Sequence, residues 1–172
     1  MQYRKEIDGI RGLSVIFVIL FHAKVQFFEG GYLGVDIFFV ISGFLITSII
    51  LKQLKEGNFN LLNFFERRAR RILPALVFLL FSISLISIFL LFPDEIVDYS
   101  KNVNSVLFFY ANHWFVNKIS YFDINQENLL THLWSLSVEE QFYIFFPILL
   151  MFIYKLKNNY FLSIIFIVLI AS

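Results

Sequence analysis

Long apolar runs interrupted by few charges dominate this 172-residue chain. A helix that crosses a bilayer needs about 20 predominantly apolar residues. Runs that meet this length, or nearly so, occupy residues 12–28, 33–51, 72–92 and 133–154. Segment 72–92 has no charged residue and is the clearest span of the four. A further apolar run, 161–172, is about half as long as a span requires and is predicted to be a partial fifth.

Composition supports this assignment to the membrane class. The chain is 59% hydrophobic and 16% charged, with a mean hydropathy of +0.74, whereas a soluble domain is about 45–50% apolar and about 25% charged. The apolar content excludes a disordered chain, and a net charge of +1 argues against a nucleic-acid partner. Cysteine is absent, which excludes disulfides and thiolate metal sites.

These features predict an all-α integral membrane protein, a polytopic helical bundle with about four spans and a partial fifth. No internal repeat, low-complexity tract or linker divides it, so residues 1–172 are predicted to form one domain. Because the last apolar run is too short to cross, we expect the chain to be the N-terminal part of a longer protein or a truncated copy.

The basic residues predict the orientation. If the N-terminus is cytoplasmic and four spans alternate, 11 of the 14 Lys and Arg residues lie on the cytoplasmic side, as the positive-inside rule requires. Segment 103–116 leaves an alternative open, since a crossing there would reverse every later side. Its length favours an interfacial or re-entrant helix on the outer face. The first span lacks the small-residue cleavage pattern of a signal peptide.

The first span contains a candidate catalytic pair, Arg11 and His22. They are 11 residues apart, which places them on the same side of a helix and about 16 Å apart along its axis. With Arg11 at the cytoplasmic interface, His22 lies near or just beyond the middle of the bilayer. An ionisable group at that depth is a functional-site hypothesis by default. The alternative is that Arg11 anchors the helix and His22 makes a structural hydrogen bond.

An acid begins the second span. Asp36 follows Gly30, Gly31 and Gly34, which permit a tight turn or a close approach between helices. A carboxylate about one turn into lipid needs a partner, and we expect a cation or a histidine on the first helix. A catalytic acid and a structural ion pair give the same pattern here.

Four arginines precede the third span, at positions 67, 68, 70 and 71. Positive-inside anchoring explains their charge. Arginines also make bidentate contacts with phosphates. On a helix, Arg67 and Arg70, or Arg68 and Arg71, are three residues apart and would form a pair for an anionic ligand or lipid headgroup.

The segment 132–143 (HLWSLSVEEQFY) holds the remaining polar candidates. Ser135 and Glu139 share a helix face, as do Glu139 and Tyr143. In the predicted topology Glu139 enters the membrane from outside, and His132 and Ser135 line the same outer entrance. The alternative is an interfacial helix start, where acids are favoured by the helix dipole.

Other patterns add little chemistry. Asn112 and His113 are interpreted as a hydrogen-bonding pair that holds helices together. The sequence has no zinc-ligand spacing, P-loop, nucleophile elbow or dinucleotide fingerprint.

Four of these segments, in this order, resemble motifs of the membrane-bound acyltransferase family 3. EIDGIRGL at 6–13 with His22 is similar to the family's opening R-x10-H motif, and GVDIFFVISGFLI at 34–46 to its second-helix motif. FERRARRILPA at 65–75 resembles the Arg-rich motif before its third helix, and segment 132–143 resembles its HxWSLSxEEQFY motif.

The resemblance implies a bacterial inner-membrane enzyme with a cytoplasmic N-terminus, built on a roughly ten-helix domain. It implies transfer of an acyl group, commonly acetyl, to a hydroxyl of a cell-envelope or exported carbohydrate. The donor would be cytoplasmic acyl-CoA, acting as a co-substrate, with no bound cofactor or metal.

The matching positions imply roles for individual residues. Arg11 and His22 correspond to the family's catalytic pair, and Arg68 and Arg71 to its contact with the CoA phosphates. The other polar positions are expected to contribute as well. Asp36 and Glu139 join the catalytic candidates, and the substrate-binding candidates also include Arg67, Arg70, His132 and Ser135.

Two mechanisms remain open for His22. It acts either as the general base for the acceptor hydroxyl, an effect typically worth about 10²–10⁴-fold, or as the carrier of the acyl group. Two other functions remain as alternatives. Half of a transporter would show repeat symmetry and paired broken helices, which the sequence lacks, and a non-catalytic membrane fragment would fit a truncated chain.

Overall fold

The structure, a computed structural model, describes residues 5–118 and 130–155. Within these ranges all regular structure is helical and no strand occurs, which confirms the predicted all-α class. Two single 3-10 turns, Glu29–Tyr32 and Thr131–Leu133, precede the second and the sixth helix. The α-helices of the described part of the chain are α1 (Lys5–His22), α2 (Leu33–Lys55), α3 (Leu61–Leu90), α4 (Pro93–Leu107), α5 (Ala111–Lys118) and α6 (Trp134–Lys155).

Among the residues that the structure describes, three segments are long and apolar enough to cross a membrane: Glu29–Lys55, Leu61–Leu90 and Thr131–Lys155. They contain the second and fourth predicted spans and all but the last two residues of the third, and the chain is an all-α membrane protein. Helix α1 is not among them, because its 18 residues include four charged side chains in the first two turns. The predicted partial span 161–172 lies outside the described residues.

Helix α1 ends at His22, whereas the sequence predicts a span that continues to residue 28. The N–H of Val25 donates to the Leu20 carbonyl at 3.1 Å, and the N–H of Lys24 donates to the Phe21 carbonyl at 3.0 Å. This pair of bonds is a Schellman motif, which ends a helix with one left-handed residue. Lys24 is that residue, with φ of 55°, so the chain turns directly after His22.

The chain forms two compact units, Met1–Phe59 with Leu149–Ser172 and Asn60–Ile148. In the first, α1 and α2 approach so closely that a side chain would not fit between them. A β-carbon at Gly34 would lie 2.4 Å from the Ser14 carbonyl oxygen, and one at Gly31 would lie 2.3 Å from that of Phe17. The predicted close approach is confirmed at these two glycines, whereas nothing lies within 4 Å of a β-carbon at Gly30.

In the second unit, α3 begins 11 residues before the predicted span. The side chain of Asn60 accepts a hydrogen bond from the Asn63 N–H at 3.1 Å and caps the first turn, as asparagine commonly does at this position. The arginines at positions 67–71 are therefore helical rather than part of a loop. Pro74 lies inside α3.

Helix α4 returns along α3. The Tyr99 hydroxyl and the Ser84 hydroxyl are 3.0 Å apart, and Val106, farther along α4, packs in one core with Leu76 and Leu80. As residue numbers rise on α4 they fall on α3, so the two helices are antiparallel. The rest of this core consists of Ala111, Phe115 and Leu130.

The predicted single helix at 103–116 is two helices, α4 and α5, separated at residues 108–110. A second Schellman motif makes the break, with bonds from Phe109 to Val106 and from Tyr110 to Ser105. Phe109 is its left-handed residue, with φ of 54°. Because α4 packs along α3, this segment lies against α3 rather than extending away from it.

Candidate functional site

Arg11 and His22 lie on one uninterrupted helix, α1. Their spacing of 11 residues therefore gives the predicted arrangement, the same side of the helix and about 16 Å along the axis. At that separation the two side chains do not act on the same atom of a substrate. They mark the two ends of one helix face.

His22 is exposed at the C-terminal end of α1. Its Nδ1 lies 2.8 Å from the Val18 carbonyl oxygen. A carbonyl oxygen only accepts hydrogen bonds, so Nδ1 carries the proton in this contact. In the neutral ring, Nε2 then holds the lone pair and is the atom that can accept a proton or attack an acyl carbon.

Arg11 faces α2. Its guanidinium carbon is 4.9 Å from the centre of the Phe38 ring, within the range of a cation–π interaction. Phe38 lies four residues after Gly34 and so shares the α2 face that packs on α1. This contact holds the Arg11 side chain at the α1–α2 interface.

Asp36 does not share that interface. It follows Gly34 by two residues, or about 200° around the helix, and its side chain is exposed. Among residues 5–118 and 130–155, no ion pair joins Asp36 to α1. The predicted partner on the first helix is therefore wrong within the described residues, because the glycine that brings the helices together turns Asp36 to the opposite face.

The four arginines of α3 differ in their surroundings. Arg70 forms an ion pair with Glu66, with 2.7 Å between Nη2 and Oε1. Arg68 is half-buried, whereas Arg67 and Arg71 are exposed. The predicted pairs three residues apart thus each combine an exposed arginine with one that already has a partner.

Arg68 contacts two aromatic rings. Its guanidinium carbon is 5.1 Å from the centre of the Tyr143 ring on α6 and 5.6 Å from that of Phe64 on α3. The Tyr143 hydroxyl donates a hydrogen bond to Glu139 Oε1. Both Glu139 and Glu140 attract the guanidinium electrostatically. We call these four residues, Arg68, Glu139, Glu140 and Tyr143, the Arg68 cluster.

Glu140 is the most enclosed acid in the Arg68 cluster. It is 9% exposed, and its Oε1 has no hydrogen-bond partner among the residues that the structure describes. A buried carboxylate oxygen without a partner is costly. The nearby cation Arg68 reduces that cost.

The predicted placement of Arg68 and Glu139 at opposite faces of the membrane is wrong. Leu133 and Leu136 pack against the core that holds Leu76 and Leu80, and Tyr143 contacts Arg68. Helix α6 thus begins beside the middle of α3 and runs toward its N-terminal end. The reason is α4, which carries the chain back along α3 before α6 begins.

Polar residues near the start of α6 are also brought together. Ser135 Oγ donates to the His132 carbonyl at 3.3 Å, so these two candidates are neighbours one turn before Glu139. Gln141 Nε2 donates to the Phe109 carbonyl at 2.7 Å and to the Asn112 side chain at 3.0 Å. The interpretation of Asn112 as a residue that holds helices together is confirmed.

Two residues of the Arg68 cluster, Tyr143 and Glu140, were absent from the sequence-derived candidates. The spacing of Glu139 and Tyr143 indicates a shared face and was a usable signal for Tyr143. No local pattern indicates that Glu140 is buried. Among the described residues no group of three or more His, Asp and Glu side chains could hold a metal ion.

Comparison with known proteins gives one family and a set of relatives. The sequence profile of a family described as "Acyltransferase domain" matches residues 4–172. The protein named "Putative O-acetyltransferase SAS0844" of Staphylococcus aureus (strain MSSA476) is 40% identical over 169 residues, which cover 96% of this chain and 28% of that protein. "O-acetyltransferase OatA" of Staphylococcus aureus (strain NCTC 8325 / PS 47) is 36% identical over 175 residues, or 99% of this chain and 29% of the relative.

The chain thus spans less than a third of the length of these relatives. No solved structure gives a significant match.

Proposed function

The chain belongs to acyltransferase family 3, and on this premise we propose that the protein transfers an acyl group to a hydroxyl. The names of its relatives, O-acetyltransferases, favour acetyl as the group. We propose cytoplasmic acyl-CoA as donor and a cell-envelope or exported carbohydrate as acceptor. The bacterial inner membrane, with the N-terminus in the cytoplasm, is the proposed location.

The observation that carries this proposal is the hydrogen bond from His22 Nδ1 to the Val18 carbonyl. It leaves Nε2 as the basic atom of an exposed imidazole at the end of α1. The carbonyl can accept from Nδ1 both before and after Nε2 gains a proton, so the contact is compatible with either state of the ring.

In the base mechanism, Nε2 takes the proton of the acceptor hydroxyl while the hydroxyl oxygen attacks the thioester carbonyl carbon. The tetrahedral adduct then collapses, the carbon–sulfur bond breaks, and the CoA thiolate takes the proton back from the imidazolium. In the alternative mechanism Nε2 itself attacks the thioester, the carbon–sulfur bond breaks and the CoA thiolate leaves. The acceptor oxygen then attacks the acyl carbon, the neutral imidazole leaves, and the proton of the acceptor hydroxyl goes to the CoA thiolate. Both routes use the same atom of His22.

The basic residues supply contacts to the donor. Arg11 lies about 16 Å from His22 along α1, so we propose that it binds a charged part of the donor, away from the reacting carbonyl. Of the four arginines of α3, the exposed ones that form no ion pair within the described residues bind the donor phosphates. Asp36 and Glu139 are retained as catalytic candidates, and His132 and Ser135 as substrate-binding candidates.

The test is incorporation of radiolabelled acetyl into membrane-associated carbohydrate, measured with membranes of cells that express the native gene. His22→Ala is expected to lower incorporation by at least about 10²-fold with an unchanged amount of protein in the membrane. His113→Ala, a change at another exposed histidine, is the matched control and is expected to keep full activity. Full activity of His22→Ala would overturn the proposed role, and no incorporation by the unchanged protein would favour a non-catalytic fragment.

A further inference from the structure

The four arginines of α3 have two different roles, and their surroundings in the second unit separate them. We propose that Arg67 and Arg71 bind the phosphate groups of the donor. Arg68 is instead a positioning residue that holds Tyr143 and, through it, the carboxylate of Glu139. This inference rests on the proposed function, because it assigns donor binding and acyl transfer, two steps of that function, to different arginines.

The Arg68 side chain packs against α6. Its guanidinium lies over the faces of the Tyr143 and Phe64 rings, at 5.1 and 5.6 Å, and the side chain is half-buried. A guanidinium that is stacked on rings presents fewer donors in the open fork that a phosphate requires. Its charge also compensates two adjacent carboxylates, Glu139 and Glu140.

The contact has a consequence for Glu139. Tyr143 is buried, at 4% exposure, and its hydroxyl donates to the Glu139 carboxylate. The cation over the ring fixes the plane of the phenol, and the phenol fixes one carboxylate oxygen. Removing Arg68 therefore releases Glu139 and leaves two neighbouring acids without their cation.

Arg67 and Arg71 are four residues apart on α3, so their side chains are neighbours on one face of the helix. Both are exposed, and within the described part of the chain neither forms an ion pair. Arg70 is different, because Glu66 already binds it at 2.7 Å. Two uncompensated guanidinium groups on one face are suited to bidentate contacts with a phosphate.

The first experiment measures equilibrium binding of radiolabelled acetyl-CoA together with kcat, using membranes of cells that express the native gene. Arg67→Gln and Arg71→Gln are each expected to weaken binding at least tenfold. Arg68→Gln is expected to bind acetyl-CoA normally but to lose kcat at least tenfold, and Arg68→Lys, which keeps a cation over the ring, to retain more of kcat than Arg68→Gln.

The matched control is Lys101→Gln, which removes an exposed cation that forms an ion pair with Asp98 at 3.3 Å. It is expected to change neither quantity. Loss of binding in Arg68→Gln, with normal binding in Arg67→Gln and Arg71→Gln, would overturn the division of roles.

The second experiment is a double-mutant cycle on kcat and on thermal unfolding in detergent. Arg68→Gln and Tyr143→Leu are expected to be non-additive in both, because each breaks the same contact. Arg71→Gln and Tyr143→Leu are expected to add. Tyr143→Phe, which keeps the ring but not its hydrogen bond to Glu139, is expected to lower kcat with little change in unfolding temperature.

The two proposals fail in different ways. If the unchanged protein transfers no acetyl group, the proposed function fails, and the cycle on thermal unfolding still decides whether Arg68 is committed to Tyr143. Additive unfolding effects of Arg68→Gln and Tyr143→Leu would overturn the positioning role whatever the activity.

Discussion

The α1–α2 pair and the bundle of α3–α6 hold their candidate residues in opposite ways. In the first, two helices meet where side chains are missing, at Gly31 and Gly34, and both main candidates, Arg11 and His22, lie on one helix. In the second, α3 and α6 meet through large side chains. The residues that touch there, Arg68 and Tyr143, are 75 positions apart in the sequence.

This difference determines what local spacing can reveal. Positions on one helix follow from its geometry alone, so the relation between Arg11 and His22 needs only an intact α1. The Arg68 cluster needs α4 to return along α3 before α6 begins. Three predictions test this comparison, in order of expected effect.

The largest effect is expected where the α1–α2 pair excludes side chains. Gly34→Leu would push its β-carbon to within 2.4 Å of the Ser14 carbonyl, and the helices would have to separate at a cost of about 3 kcal/mol or more. The measurement is the unfolding free energy of the detergent-solubilised protein. Gly12→Ala is the control, since nothing lies within 4 Å of its new β-carbon and alanine in a helix is favoured by about 0.5–1 kcal/mol. Equal effects of the two changes would disprove the close approach.

A middle effect is expected where the second unit depends on a side-chain amide. Gln141→Leu removes the hydrogen bonds to the Phe109 carbonyl and to Asn112 and leaves those polar groups unpaired, at a cost of about 1–3 kcal/mol. Gln53→Leu on α2 is the comparison and is expected to be nearly neutral. The measurement is the free energy of unfolding of both variants by chemical denaturation. An unchanged value for Gln141→Leu would show that the turn between α4 and α5 does not need the amide for its stability.

The smallest effects concern two helix ends that carry a left-handed residue other than glycine. Lys24→Gly is expected to stabilise the protein by about 1 kcal/mol, because glycine adopts this conformation without strain. Phe109→Gly gains the same backbone relief but loses packing against the core of the second unit, so it is expected to destabilise. The measurement is the change in melting temperature relative to the unchanged protein. Changes of the same sign in both variants would contradict this distinction between the units.

Much of the fold could be predicted from the sequence. The apolar runs located α2, α3 and α6, and the glycines indicated the α1–α2 contact. Helix ends were less accessible, because Lys24 and Phe109 are poor candidates for the left-handed position that ends a helix. The cap at Asn60, which makes the arginine segment helical, is a single side-chain contact that hydropathy does not register.

The candidate site divides in the same way. The sequence identified all four arginines, and helical spacing predicted pairs three residues apart. The number and charge of the arginines do not indicate that Glu66 and Tyr143 are partners of two of them. It placed Asp36 toward α1, whereas the glycine contact turns that residue away. Tyr143 had a signal in its spacing from Glu139, but Glu140 had none.

The sequence by itself determined the membrane class, the all-α architecture and the positions of Arg11 and His22 on one helix, because hydropathy and helical period act within a single segment. Only the tertiary structure decided that Arg68 meets Tyr143 and Glu139, that Arg67 and Arg71 remain exposed, and that Asp36 faces away from α1. Those outcomes depend on which helices pack together and at what level. That is a property of side-chain fit between distant segments, and no local pattern in the chain encodes it.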